Sequence, residues 1–232
     1  MSEKSQVMPH GDLKELAPGL WQVQGSMARM PLPRNMVVYK LEGGGLLIHS
    51  AIALDGKGMA QLESFGKPEL MIVPNRMHRL DAGFYKARYP EIRVVCPENA
   101  REQVEKVVAV DEVVEGLKIP GVTPLQPQGV RPGELAYELT TSSGRALVFC
   151  DLLFNIPHEG GSGGWIGRLL GSTGFFGMTR IGRWLALKDR QIFRKWLEDL
   201  ASDGEIAVIS VAHGNAITEN CNQRLKEAAA RL

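Results

Sequence analysis

The sequence predicts an α/β fold (α+β in the order of its elements): two mixed sheets packed together, with helices on the outer faces. Three observations predict it. Short apolar runs of strand length come in two groups, each group contains a hairpin signal, and segments of helical spacing lie between and after them. This order suits two packed sheets better than one doubly wound sheet, because no GxGxxG opens a helix after the first strand. At 232 residues the chain is long for one average domain and short for two, so a single domain over 1–232 is expected.

Residues 1–17 read as a loose, polar lead-in with no apolar stretch of the kind that marks a secretory signal. Apolar runs follow at 20–23, 36–41 and 45–49, the last two joined by the hairpin residues Glu42, Gly43 and Gly44. Residues 57–65 have helical spacing and stop at Gly66, and 70–73 form an apolar strand ending at Pro74. Residues 82–89 read as a helix closed by Pro90, and 92–96 as a second buried strand. Pro97 suits the first turn of a helix over 97–109. The prolines at 120, 124, 127 and 132 make 111–133 turn-rich, with one or two short strands. A second hairpin joins 135–140 to 145–151 through Ser142, Ser143 and Gly144. A glycine-rich apolar stretch covers 160–182. An amphipathic helix over 188–201 then shows Ile192, Phe193, Trp196, Leu197 and Leu200 on one face. A buried strand at 206–211 and a helix over 220–232 complete the chain.

Composition narrows the function classes. The chain is 44% hydrophobic and 23% charged, which excludes a disordered or collagen-like chain. Lys and Arg number 27 against 26 Asp and Glu, so no broad basic field awaits nucleic acid. No run approaches the ~18 apolar residues of a membrane span, and no membrane partner is expected. Cys96, Cys150 and Cys221 form no CxxC and read as reduced, buried thiols, so a cytoplasmic location is expected.

Three polar residues stand at or beyond the ends of apolar strands: His78, Asp151 and His213. Two imidazoles and one carboxylate form a facial ligand set for a divalent metal such as zinc or iron. The alternative is that each caps its own strand and hydrogen-bonds backbone. The shared placement leaves the trio open between these two readings.

The segments GGGLLIHSAIALD, IVPNRMHRLDAGFYKARYPEIRVVCP, ALVFCDLLFN and VISVAHGNAI resemble the metallo-β-lactamase superfamily, and most of all a domain-of-unknown-function branch with a degenerate metal site. The resemblance implies an αββα sandwich with a metal site at one edge of the paired sheets. It sets His78 at the final histidine of the second motif, Asp151 at the bridging aspartate and His213 at the last histidine. Val73, Asn75 and Met77 occupy positions where that motif carries ligands, so one ion at most is implied rather than two. Two functions stay open. One is a mononuclear metal-dependent hydrolase of a small ester, thioester or phosphoester; the other is a non-catalytic relative that binds a ligand or partner. A small-molecule ligand is expected in either case.

Other residues carry two readings each. His49 stands where the superfamily has an aspartate; it is an extra ligand, a general acid or support for the ligands, or else a half-buried histidine. Asn75 could donate to a substrate oxygen, but a turn residue after Pro74 is the favoured reading. Asp81 could supply a carboxylate, but is expected to cap the helix at Ala82. His158 is a loop residue that could line a pocket, and His10 is expected in solvent. Cys150 precedes Asp151, so strand alternation points it away from the site as an inert core thiol. The glycine-rich stretch reads as helix packing or a homodimer contact, ahead of a lid in which Arg168, Arg180 and Arg183 face an acidic substrate. Membrane docking ranks last, because the linear stretch lacks a basic face.

Overall fold

Short connections pair the early strands antiparallel. β1 (Lys14–Ala17), β2 (Leu20–Met27), β3 (Met30–Lys40) and β4 (Leu46–His49) lie side by side in chain order. The β3–β4 turn is the expected hairpin. Leu41 O accepts from Gly44 N at 2.9 Å, and Gly44 takes φ 88°, where a side chain would be strained. Beyond β4 the connections carry helices, which is what parallel neighbours require. α1 (Gly56–Phe65) leads to β5 (Pro68–Ile72), α2 (Ala82–Arg88) to β6 (Arg93–Cys96), and α3 (Arg101–Val104) to β7 (Glu112–Val113). The result is a mixed seven-stranded sheet in the order β1 to β7. Val23, Met36, Val38, Ile48, Met71 and Val94 in its core are at most 1% exposed.

These elements come from a computed structural model, which describes residues 7–27, 30–158 and 173–232. The chain divides into two units, 1–124 and 125–232, and β8 (Val122–Leu125) lies where it passes from one to the other. The second sheet has the order β11-β10-β9-β8. β9 (Ala136–Thr141) and β10 (Gly144–Phe149) form the second expected hairpin, and β11 (Ile206–Val211) runs parallel to β10. α4 (Arg180–Ala186) and α5 (Arg190–Ser202) precede β11, and α6 (Cys221–Ala230) follows it. Asp189 starts α5 by accepting from Gln191 N and Ile192 N at 2.9 and 3.0 Å. Phe193 and Leu197 on that helix join Phe149, Ile209 and Leu225 in the second core. Two mixed sheets with accompanying helices are the fold class read from the sequence.

Several local expectations are corrected. The lead-in is not loose over its described part, because β1 pairs with β2 and Gly11 N donates to Gln24 O at 2.9 Å. Its polarity belongs to an edge strand, in which Ala17 is buried and Lys14 and Glu15 face water, with Leu13 buried just before it. His10 is not in solvent: its side chain is 7% exposed, and Nε2 accepts from Asp55 N at 2.9 Å beside the start of α1. The helix expected over 97–109 shrinks to a 3-10 turn at Glu98–Ala100 and the four-residue α3. Val104, Val108 and Val110 all reach the core, and β-branched residues hold a helix poorly while doing so. In the glycine-rich stretch, residues 160–172 lie outside the described residues, as do 1–6 of the lead-in. Beyond them Phe176 and Met178 are core residues, and α4 covers Arg180–Ala186 at the end of the stretch.

Candidate metal centre

Within the first unit, β4 ends at His49 and the chain turns sharply. Ser50 takes φ 59°, a left-handed backbone uncommon outside glycine, and is 2% exposed. Its Oγ lies 2.7 Å from Nδ1 of His78. His78 sits in the loop beyond β5, which Asn75 builds: Asn75 Oδ1 accepts from Met77 N at 2.8 Å and His78 N at 3.2 Å. Asn75 is therefore the turn residue that the sequence favours, with its side-chain oxygen turned onto backbone. Met77, at a position where the resemblance implies a ligand, is 62% exposed.

His49 is 3% exposed. Burial, and after it the charge of His78, pushes its pKa down to about 3. It is a buried neutral imidazole at ordinary pH, which corrects both the half-buried and the general-acid readings. Asp81 precedes α2 but makes no side-chain cap hydrogen bond. Its carboxylate instead pairs with the buried Arg34 of β3 and accepts from Ala53 N at 3.0 Å. A charged bidentate-capable partner outcompetes the helix N–H groups for that carboxylate, which corrects the capping expectation.

Within the second unit, strand pairing brings two predicted ligands together. β10 and β11 are parallel neighbours with Phe149 opposite Val211, so Asp151 and His213, two residues beyond each, emerge at one edge. Asp151 Oδ1 lies 3.0 Å from His213 Nε2. The imidazole is 6% exposed and the carboxylate 31%. Phe154 stacks on the His213 ring, with centroids 5.2 Å apart and planes within 13°. Glu134 holds the bend at Asp151: its two carboxylate oxygens accept from Asp151 N and Leu152 N, each at 3.0 Å. The His213 loop is tied by main chain as well. Asn155 N donates to His213 O at 3.0 Å, and Asn215 N to Asn155 O at 2.9 Å. Between them Gly214 takes φ 103°, and a Cβ there would lie 2.1 Å from Asn155 O.

The donor set fits a metal ion. Ligand bonds of about 2.0–2.1 Å at a tetrahedral angle separate two donor atoms by ~3.3 Å, near the 3.0 Å of this pair. Cys150 departs from expectation in direction but not in chemistry. β10 ends at Phe149, so alternation no longer governs Cys150, and its Sγ lies within 4.8 Å of an Asp151 carboxylate oxygen. Burial first, then the charges of Asp151 and Glu134, raise its pKa well above the ordinary thiol value, and it stays an unreactive thiol. His158 is an exposed loop residue, with Nδ1 3.3 Å from Thr173 Oγ1.

Two contributors were not singled out from the sequence. Ser50 stood beside His49 in LLIHSA without a role, and Glu134 carried only a weak signal, an acidic residue directly before an apolar run.

Solved structures provide the comparison. A DIM-1 metallo-β-lactamase exposed to ceftazidime matches with a TM-score of 0.65 and 12% identity, over 97% of this chain and 99% of its own. A metallo-β-lactamase from Hirschia baltica matches at 0.60 and 12%, over 94% and 97%. The mono-zinc form of FIM-1 from Pseudomonas aeruginosa matches at 0.59 and 12%, over 94% of each chain. No protein-family model and no curated protein matches this chain.

Proposed function

We propose, from the metallo-β-lactamase fold that this chain adopts, that it is a hydrolase of a small ester, thioester or phosphoester. It would hold one zinc or iron ion through His78, Asp151 and His213. The observation that carries this reading is the Asp151–His213 pair, 3.0 Å apart with the carboxylate still partly open to solvent. Zinc and non-haem iron both accept two imidazoles and a carboxylate. When bound, the ion supplies Lewis acidity toward a carbonyl or phosphoryl oxygen.

The chain's own residues prepare that chemistry. Ser50 engages Nδ1 of His78, so Nε2 is the nitrogen offered for ligation. Glu134 fixes the backbone from which Asp151 projects, and Phe154 covers one face of the His213 ring. A second reading, a ligand-binding module without catalysis, is favoured by two observations. Asn75 Oδ1 is engaged with backbone, and Met77 is exposed, where the resemblance implies ligands.

Metal analysis separates the two. Protein purified without chelator and dialysed against excess Zn²⁺ or Fe²⁺ is expected to hold one ion per chain. His213→Ala is expected to lose the ion and keep its far-ultraviolet circular dichroism. A wild-type chain that stays metal-free would end the hydrolase reading and leave the binding module.

A further inference from the structure

The first unit carries a cavity of about 280 Å³ at the starts of β4 and β5, away from the Ser50–His78 pair beyond their other ends. It is built by the β3–β4 hairpin at Glu42, by β5 at Glu69, by β6 at Arg93 and by the segment 118–120. Packing fixes its surroundings. Tyr39 is 5% exposed and its hydroxyl lies against Gly121, where a Cβ would stand 2.5 Å from Tyr39 Oη. Val122 N donates to Ile119 O at 3.0 Å and closes the turn that follows Lys118.

Both signs of charge line this cavity. Arg93 is neutralised by Glu112, with Nη2 2.5 Å from Oε1. Glu42, Glu69 and Lys118 have no ion-pair partner among the described residues, so they do not pair with one another either. The Glu69 carboxylate is folded back over the start of β4, where a Cβ on Gly45 would lie 2.2 Å from its Oε2. Opposite charges that border one cavity without meeting leave a gap that a ligand bearing both charges bridges. Leu41, Ile119 and Pro120 add an apolar wall. Pockets for drug-sized ligands run to about 300–1,000 Å³, so this one suits a smaller molecule than a nucleotide or a peptide.

We propose that this cavity is a second binding site, for a free amino acid with an apolar side chain. The ligand's ammonium meets Glu69 and Glu42, its carboxylate meets Lys118, and its side chain lies on Leu41, Ile119 and Pro120. A simple anion would face two carboxylates, and a metal cation would face the lysine; neither would use the apolar wall. The cavity stands apart from the proposed metal ligands, so its occupancy does not depend on a bound ion.

The test titrates leucine into the isotope-labelled full chain and follows amide chemical shifts. Leucine is expected to move the amides of Gly43, Leu70 and Lys118. N-acetyl-leucine lacks the ammonium and leucinamide lacks the carboxylate, so each is expected to bind about tenfold more weakly. Lys118→Gln is expected to weaken leucine about tenfold and to stop distinguishing it from leucinamide. Glu69→Gln is expected to weaken it similarly and to stop distinguishing it from N-acetyl-leucine. Both side chains are exposed, so circular dichroism of the variants is expected to match the wild type. No shift up to the solubility limit of leucine, or shifts confined to other residues, would overturn the proposal. Equal binding of N-acetyl-leucine would make the cavity an anion site, and equal binding of leucinamide a cation site; either result overturns it, as does binding that neither variant weakens.

Discussion

Ser50 Oγ meets His78 Nδ1 at 2.7 Å, and Ser50 adopts a left-handed backbone to do so. Two substitutions separate the hydrogen bond from the strain. Ser50→Ala removes the bond and keeps the unfavourable φ, so a loss of about 1–2 kcal/mol is expected in urea unfolding. Ser50→Gly also removes the bond but relieves about 1 kcal/mol of backbone strain, so its stability should stay near that of the wild type. Both are expected to weaken metal binding about 10- to 100-fold in a titration, because His78 loses its orienting partner. Equal stability of the two variants would remove the strain argument.

His49 makes stability depend on pH with a definite sign. Its pKa is 6.5 as a free side chain and about 3 in the fold, held down by burial and then by His78. Above pH 6.5 it is neutral in both states and adds no pH dependence. As the pH falls below that value the unfolded chain takes up a proton that the folded chain refuses. Stability then drops by up to about 1.4 kcal/mol per pH unit until the folded pKa is reached. Urea unfolding of His49→Asn between about pH 6 and pH 4 is expected to show a shallower fall than the wild type. Identical slopes would place the acid sensitivity elsewhere.

The Arg34–Asp81 pair is buried on both sides, with side chains 10% and 6% exposed. Asp81→Ser supplies a good helix cap but leaves Arg34 without its carboxylate. A loss of about 3–5 kcal/mol is expected, because an uncompensated charge stays in the interior. A small change in the urea midpoint would instead mean that capping of α2 was the larger contribution after all.

Legibility followed the range of the interaction that decides each feature. Both hairpins could be read because Glu42, Gly43 and Gly44, and then Ser142, Ser143 and Gly144, sit between apolar runs they directly connect. Asp151 and His213 come within 3.0 Å of each other because each follows a strongly apolar strand, and those two strands are parallel neighbours. Asp81 was misread because its partner, Arg34, comes from β3, far back in the chain. Glu134 and Ser50 were passed over for the same reason: the atoms they hold belong to Asp151, Leu152 and His78. Cys150 was misdirected by one residue of strand, since alternation stops at Phe149.

The Asn155 and Gly214 contact gives the site a property that neither ligand has. Asn155 grips the His213 loop through N–H and C=O groups, and Gly214 leaves room for nothing else between them. The loop after Asp151 is thus tied to the His213 loop by main chain, and Glu134 holds the bend at Asp151 itself. Geometry and reactivity are inherited separately in such a scaffold. A substitution at either position changes what the two side chains can do and leaves the main-chain frame between their loops in place.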